Sequence, residues 1–237
     1  MKYLSLIKKS IISFIVISCF SFALFGQVYE VVTIEKEGKH YSLDVKYPNI
    51  TDSSIDVSVR RGINSEIENF VKPLFEDALN EFLNEGWTEE ELRMIPGRNK
   101  VAVGCDVARV DGDFVSLQFE KYFYGMGAAH GFRTRHCFNY DVENQKIIAL
   151  KDIFVEGVDY LKQISDYCVA DLNRQLNTQD SSWVKEGASA NEDNLKRFTI
   201  TDNSLIIYFN DYQVACYAAG SPKVEIPFED LEGIVFR

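Results

Sequence analysis

The residues best suited to chemistry lie in and around a glycine-rich bend, 125–131, with the sequence Gly-Met-Gly-Ala-Ala-His-Gly. Three aromatic residues, 122–124, precede the bend, and an arginine follows it. A histidine held among glycines and tyrosines can serve as a general base, because its ordinary pKa lies near neutrality and its surroundings can tune it. We therefore take as candidate ligand-binding residues Tyr122, Tyr124, Gly127, His130, Gly131 and Arg133.

The bend and its histidines predict neither a dinucleotide-binding site nor a metal site. The bend resembles a dinucleotide-binding fingerprint, but His130 occupies the place of the third glycine and a strand-like run follows where a helix should begin. A metal site would need a third ligand, such as Asp141, beside His130 and His136. His136 and Cys137 are adjacent, so in a strand they point to opposite faces and cannot form a catalytic pair. We predict no catalytic residue, no metal and no cofactor.

The N-terminus has the composition of a secretory signal. Three lysines in the first nine residues precede an apolar stretch, 11–25, which is shorter than the ~20 residues of a membrane-spanning helix. We expect a signal peptide over 1–26 and a mature chain that is periplasmic or extracellular. A lipobox-like sequence ending at Cys19 supports an alternative in which that cysteine is acylated and the chain is lipid-anchored at the envelope.

The expected mature chain is strongly acidic. Of the 25 basic and 36 acidic residues, the segment 1–26 contains three lysines and no acid, which leaves a formal charge of −14. This charge disfavours nucleic acid and anionic membrane as partners, and it would attract cationic ones. With 46% hydrophobic residues, the chain can build a real core, and it is long enough for one large domain or two small ones.

Four cysteines follow the predicted signal peptide, an even number for an oxidising compartment. No two of them form a C-x-x-C pair, which argues against zinc and against a thioredoxin-like site. We predict at least one disulfide, most plausibly one that involves Cys137, with free buried cysteines as the alternative. The disulfide candidates are Cys105, Cys137, Cys168 and Cys216.

The first half of the chain alternates strand and helix patterns. The runs 28–35 and 40–47 alternate apolar and polar residues, as in a hairpin. Apolar residues then recur at helical spacing over 63–83, and Pro73 is expected to kink or split this helix. Such a helix would pack one face against a sheet.

The second half begins with another hairpin. Strand-like runs at 100–110 and 114–124 are joined by Asp-Gly-Asp, and a further strand covers 132–140. A second amphipathic helix is predicted over 160–176, and short strands occupy 197–226. Because strands and helices occur in blocks, we predict an α+β fold with antiparallel sheets packed against two long amphipathic helices, in two closely associated subdomains.

Several of these segments together resemble a bacterial extracytoplasmic domain family of unknown function. The pattern is Y-x-G-G-A-H-G, then N-Y-D and L-x-D-L-F, and the matching segments are 124–131, 138–141, 146–154, 198–209, 212–220 and 224–228. The family is similar to the C-terminal domain of RsiV-like anti-sigma factors, and it accompanies the catalytic domain of PdaC-like deacetylases. The resemblance covers 114–237 well, and 27–113 resembles the PdaC-like N-terminal module more weakly. We take these two ranges as the predicted subdomains.

This resemblance implies a function in binding and supplies no catalytic residue. The sequence contains no deacetylase metal-binding motif, and a cytoplasmic segment for sigma-factor control is not expected from the ten residues before the apolar run. What the resemblance implies is an exported cell-envelope binding protein, whose partner would be a lysozyme-like cationic protein or a peptidoglycan fragment. The alternatives are an envelope hydrolase that uses His130 and a structural envelope protein.

Overall fold

The protein has a mixed α+β fold built on two sheets. The predicted signal peptide, 1–26, and the alternative lipidation residue Cys19 lie outside the described residues. Within the part of the chain that is described, no helix is long and apolar enough to cross a membrane. The computed structural model describes residues 28–84, 88, 90, 94–95, 97–178 and 181–235.

The larger sheet has six strands in chain order. They are β1 (Tyr29–Glu37), β2 (Tyr41–Ile50), β3 (Asn99–Val110), β4 (Phe114–Tyr124), β5 (Phe132–Asp141) and β6 (Lys146–Ile147). All neighbours are antiparallel except β2 and β3, which are parallel. The predicted antiparallel sheets are therefore found except at this pair, where the prediction is wrong. The helix α1 (Val57–Asn84) lies between the two strands in sequence, and a helical crossover returns the chain in the same direction.

One face of the larger sheet is covered by α1. The helix buries a stripe at a spacing of three or four residues that includes Ile63, Ile67 and Val71, and these pack with Leu117 and Phe138 of the sheet. The predicted split at Pro73 is not found, because α1 continues through this residue. Pro73 occupies an exposed position of the helix. A proline there removes one backbone donor but clashes with nothing in the core.

The smaller sheet contains three antiparallel strands, β7 (Phe198–Ile200), β8 (Ser204–Tyr208) and β9 (Lys223–Pro227). Against it pack α2 (Tyr160–Gln175), α3 (Ser182–Gly187) and α4 (Glu192–Leu195). Short 3₁₀ helices lie at Leu150–Ile153, Tyr217–Ala219 and Phe228–Asp230. Ile164, Cys168 and Leu172 of α2 form a second hydrophobic core with Ile207 and Phe209.

The two cores meet along β4 and β5. The first core draws on residues 43–142, and the second on residues 148–231 together with Phe114 of β4. The predicted subdomain boundary between 113 and 114 stays a prediction. The hairpin that it would divide, β3 with β4, lies inside the larger sheet.

The predicted disulfide is not confirmed, since all four described cysteines are free. Cys105 on β3 and Cys137 on β5 are separated by β4, which places them about 9.5 Å apart at ~4.8 Å per strand spacing, beyond the reach of a disulfide. Cys168 is buried in α2, and Cys216 is exposed. Burial raises the pKa of the Cys105, Cys137 and Cys168 thiols, so these side chains are protonated at neutral pH.

Candidate functional site

The glycine-rich bend borders an open cleft of about 600 Å³. Side chains on alternate positions of β3, β4 and β5 form its floor, on the sheet face opposite α1. The predicted binding residue Gly127 is not among those that line it. The other five candidates do line it, and they are Tyr122, Tyr124, His130, Gly131 and Arg133.

A network of charges surrounds Tyr122 on the cleft floor. The Glu120 carboxylate accepts two ion pairs, one from Arg133 Nε at 3.2 Å and one from Arg135 Nη2 at 3.0 Å. The guanidinium carbon of Arg133 lies 5.4 Å from the centroid of the Tyr122 ring, and Lys100 Nζ lies 6.0 Å from the same centroid. Two cations therefore flank one aromatic ring, at distances where cation–π attraction operates.

The glycines of the bend have structural roles that explain their pattern. Gly127 has a φ of 82°, a conformation that favours glycine, and the turn is closed by a 2.9 Å bond from Ala128 N to Gly125 O. At Gly131, an added Cβ would lie 2.5 Å from the Tyr122 ring and 2.6 Å from the carbonyl oxygen of Phe123. Only glycine lets the chain pass this close to the cleft floor.

His130 presents one nitrogen to a hydroxyl at the cleft wall. Its Nδ1 lies 2.9 Å from the carbonyl oxygen of Gly131. Because a carbonyl can only accept, Nδ1 carries a proton, and in the neutral imidazole Nε2 is then the acceptor. Nε2 lies 3.5 Å from the hydroxyl of Tyr212, and the ring stacks on Tyr217 at 4.2 Å between centroids. The exposed imidazole could thus accept a proton from a bound group or from water.

The wall opposite the bend is the segment 209–222 between β8 and β9, which sequence reasoning did not identify as part of the site. It contributes Tyr217 to the cleft, and Tyr212 contacts His130 beside it. Tyr212 has a φ of 65°, and its carbonyl accepts a 3.0 Å bond from the indole of Trp183. The segment 212–220 belongs to the resemblance given above. Its two tyrosines were the sequence feature that could have indicated this wall.

Two polar side chains hold this wall against the edge of β5. Asn210 Oδ1 accepts from the backbone nitrogen of Arg135 at 2.7 Å, and Asp211 Oδ2 accepts from that of Arg133 at 2.9 Å. Asp211 also accepts from the hydroxyl of Ser221. These side chains take the place of a neighbouring strand, so the cleft wall and the cleft floor are fixed relative to one another.

His136 lies away from the cleft, on the α1 face of β5. Its Nε2 lies 2.9 Å from the hydroxyl of Thr134. Burial, assisted by the charges of Lys121 and Arg197, lowers the pKa of His136 to about 4. The described residues contain no group of three or more histidine, cysteine, aspartate or glutamate side chains that could hold a metal ion.

Two family models match this chain, each over less than half of its length. Residues 34–133 match the model described as "Deacetylase PdaC". Residues 151–229 match the model described as "Protein of unknown function (DUF3298)". The first match covers most of the larger sheet and α1, and the second covers the smaller sheet with its helices.

Curated relatives are distant, and each match covers half or less of the relative's own length. The peptidoglycan-N-acetylmuramic acid deacetylase PdaC of Bacillus subtilis is 28% identical over 212 residues, which is 89% of this chain and 42% of that protein. The esterase Rv3036c of Mycobacterium tuberculosis is 27% identical over 107 residues, or 45% of this chain and 46% of the esterase. The immunogenic protein MPT64 of the same organism is 23% identical over 48% of this chain and 50% of its own length. This chain therefore spans half or less of the length of these relatives.

Two crystal structures share the fold. A DUF3298 family protein from Pseudomonas aeruginosa superposes with a TM-score of 0.64 at 17% identity, over 87% of this chain and 94% of that one. A member of the same family from Bacteroides fragilis gives a TM-score of 0.62 at 18% identity, over 88% and 94%. At these identities the likeness concerns the fold alone.

The predicted resemblance to a family of unknown function and to PdaC-like modules is confirmed by these matches. The predicted similarity to RsiV-like anti-sigma factors stays a prediction. Residues 34–133 are thus similar to the PdaC model, and residues 151–229 are similar to the DUF3298 family of unknown function.

Proposed function

We propose that this protein is an exported binding protein of the cell envelope and that its cleft holds a peptidoglycan fragment. The observation that carries the proposal is the lining of the cleft by Tyr122, Tyr124 and Tyr217 beside charged side chains. Aromatic rings offer flat apolar faces for sugar rings, and a few convergent polar groups then orient the ligand. A peptidoglycan fragment offers both sugar rings and polar substituents.

The relative from Bacillus subtilis supports this choice of ligand. Its name gives peptidoglycan N-acetylmuramic acid as the group on which it acts, and the alignment covers 89% of this chain. This chain spans only 42% of that protein, so we propose binding of the same polymer and not the deacetylation. Envelope location is part of the same proposal.

Calorimetric titration with soluble muropeptides tests the proposal. We expect saturable heat, and we expect Tyr122→Ala and Tyr217→Ala each to weaken binding by about 2- to 12-fold, the equivalent of ~0.5 to 1.5 kcal/mol for an aromatic contact. Tyr29→Ala, at the far edge strand β1, is the control and should bind as the parent does. Absence of saturable heat would contradict the proposal, as would unchanged affinity in both cleft variants.

The formal charge of −14 that is expected for the mature chain, 27–237, supports a second candidate, a cationic lysozyme-like protein as partner. Opposite charges accelerate association in a salt-dependent way. Hen-type lysozyme should then bind more tightly at low salt than at physiological salt. Equal affinity in the two buffers would contradict electrostatic attraction between the two proteins. No heat of binding in either buffer would exclude lysozyme as a partner.

The geometry of His130 supports a third candidate, hydrolysis of an ester or amide. Its Nε2 is available as a base, and the mycobacterial relative is named an esterase. Hydrolysis of p-nitrophenyl acetate should then be lost in His130→Gln and kept in His40→Gln. Equal rates in the parent and His130→Gln would exclude this role. A structural envelope protein would instead return only protein partners in an affinity pull-down.

A further inference from the structure

We infer that the cleft selects saccharides that carry a carboxylate, and that Lys100 and Arg133, on either side of Tyr122, bind this group while the sugar rings contact the tyrosines of the cleft. This inference rests on the proposed function, since it names the ligand class of the same cleft. It goes further because it predicts discrimination between two kinds of envelope glycan that share the same sugar ring.

The lining of the cleft differs in charge from the rest of the molecule. The expected mature chain carries −14, but the Lys, Arg, Asp and Glu residues that line the cleft are two cations, Lys100 and Arg133, and one anion, Glu120. Glu120 pairs with Arg133 and also with Arg135, while Asp211 of the neighbouring wall accepts from the Arg133 backbone nitrogen and from Ser221, so the lining keeps a positive excess. A basic cleft in an acidic molecule concentrates the field on an anionic ligand and repels such a ligand elsewhere.

The two lining cations lie close to the Tyr122 ring. Lys100 Nζ and the Arg133 guanidinium lie 6.0 and 5.4 Å from the centre of the Tyr122 ring. A sugar held in the cleft beside Tyr122 would therefore place its substituents within reach of one cation or the other. This arrangement suits a substituent that projects from the edge of the sugar.

Arg133 is already oriented before a ligand binds. Its Nε is paired with Glu120, and 41% of its side chain is exposed to solvent. A guanidinium fixed in this way loses less side-chain entropy when it binds a carboxylate, and it presents several donors to the two oxygens. The pair with Glu120 thus orients the arginine without covering it.

These features define a matched pair of ligands. N-acetylmuramic acid is N-acetylglucosamine with a lactyl ether that ends in a carboxylate. A tetrasaccharide that alternates the two sugars and a tetrasaccharide of N-acetylglucosamine alone therefore present similar rings and differ mainly in carboxylate groups. Calorimetry with both separates stacking from carboxylate recognition.

We expect the muramic tetrasaccharide to bind about 5-fold or more tightly than the N-acetylglucosamine tetrasaccharide at low salt, with the difference shrinking as salt increases. Lys100→Gln and Arg133→Gln should each weaken binding of the muramic ligand by about 2- to 5-fold and leave the uncharged ligand unaffected. Lys146→Gln removes the same charge from β6, outside the cleft, and should change neither affinity.

The outcomes separate this inference from the function on which it rests. If both tetrasaccharides bind equally well, the cleft is a glycan site and carboxylate selectivity is wrong. If a methyl ester of the lactyl groups binds as tightly as the free acid, the inference is also overturned, as it is when neither cleft variant weakens the muramic ligand. If neither tetrasaccharide nor any muropeptide binds, the proposed function itself fails.

Discussion

Gly131 is the residue on which the shape of the cleft depends most directly. Gly131→Ala would place a methyl group 2.5 Å from the Tyr122 ring and 2.6 Å from a backbone oxygen, so the bend must move away from β4. We expect a loss of about 1 to 3 kcal/mol in the free energy of unfolding, the cost of overpacking, together with weaker ligand binding. Urea denaturation measures the first quantity.

Gly125→Ala is the matched control for this prediction. An added Cβ at Gly125 would meet only the Phe123 ring, at an ordinary 3.8 Å. Its unfolding free energy should stay within about 0.5 kcal/mol of the parent. Equal stability of Gly131→Ala and Gly125→Ala would show that the bend can move away from Tyr122 at little cost in free energy.

His136 should make the protein less stable in mild acid. The folded state holds its pKa at about 4, whereas an unfolded histidine titrates near 6.5, so the unfolded chain binds the proton first as the pH falls. The stability that neutral His136 contributes to the folded state is fully present above about pH 6.5, and it is lost as the pH falls from that value to about 4. After allowance for solvent screening, we expect at most about 2 kcal/mol.

His136→Gln should flatten the dependence of unfolding free energy on pH in that window, relative to the parent. Val31→Ala, a change at an exposed side chain of β1 that binds no proton, is the control and should keep the slope of the parent. Parallel curves for the parent and His136→Gln would contradict a lowered pKa at this site.

At the scale of elements, α1 tolerates a proline at a measurable cost. Pro73 lies inside the helix, where it lacks a backbone donor and leaves the carbonyl of Asn69 without its helical partner. Because the position is exposed, Pro73→Ala should restore this bond without disturbing the core and should stabilise the protein by about 1 to 3 kcal/mol. Urea denaturation with Lys72→Ala as the neighbouring control checks this. If Pro73→Ala gave no gain in the free energy of unfolding, the missing hydrogen bond to Asn69 would have no measurable cost.

The junction of the two sheets depends on a buried polar bridge. Ser116 on β4 accepts from Ile200 N at 2.8 Å and donates to Asn139 Oδ1 at 2.6 Å, and Asn139 donates to the Phe198 carbonyl at 2.8 Å. Ser116 and Asn139 are 0% and 3% exposed, so water cannot replace these bonds. The bridge therefore fixes the edge of β7 on the larger sheet.

Asn139→Leu should destabilise the protein by about 2 to 4 kcal/mol, because it leaves a hydroxyl and a carbonyl buried without one of their partners. Chemical denaturation measures the loss. Asn144→Ala, an exposed change in the turn after β5, is the control and should cost less than about 1 kcal/mol. A loss below about 1 kcal/mol in Asn139→Leu would mean that the sheets do not need the bridge.

At the scale of the whole molecule, the two cores are interdependent. Phe114 on β4 packs in the second core, while Leu117 and Phe119 of the same strand pack in the first. One strand thus contributes side chains to both cores, from opposite faces. Neither core is complete without it.

A cut between 113 and 114 tests the predicted subdomain boundary directly. It would separate β3 from β4 and remove Leu117, Phe119 and Phe138 from the core beneath α1. We therefore expect the fragments 27–113 and 114–237 to be unfolded when produced separately, as judged by circular dichroism and amide exchange. A cooperative unfolding transition in either fragment would instead support the predicted division.

Local patterns in the sequence were sufficient for many elements and for one side of the cleft. Alternation and turn residues indicated β1 with β2 and β3 with β4, because these strands are neighbours in sequence. The bend, Tyr122, His130 and Arg133 lie within twelve residues of each other, so a single motif pointed to all of them. The strongly acidic character also follows from composition alone.

Only the tertiary structure decided what comes together across long separations. The parallel pairing of β2 with β3 and the wall that brings Tyr217 to His130 each join segments that are distant in sequence. Such contacts depend on how the whole chain packs, because loop closure, burial and pairing compete over all segments at once. The same reason explains the cysteines: their number suggested a bond, but the intervening strand β4 keeps Cys105 and Cys137 apart.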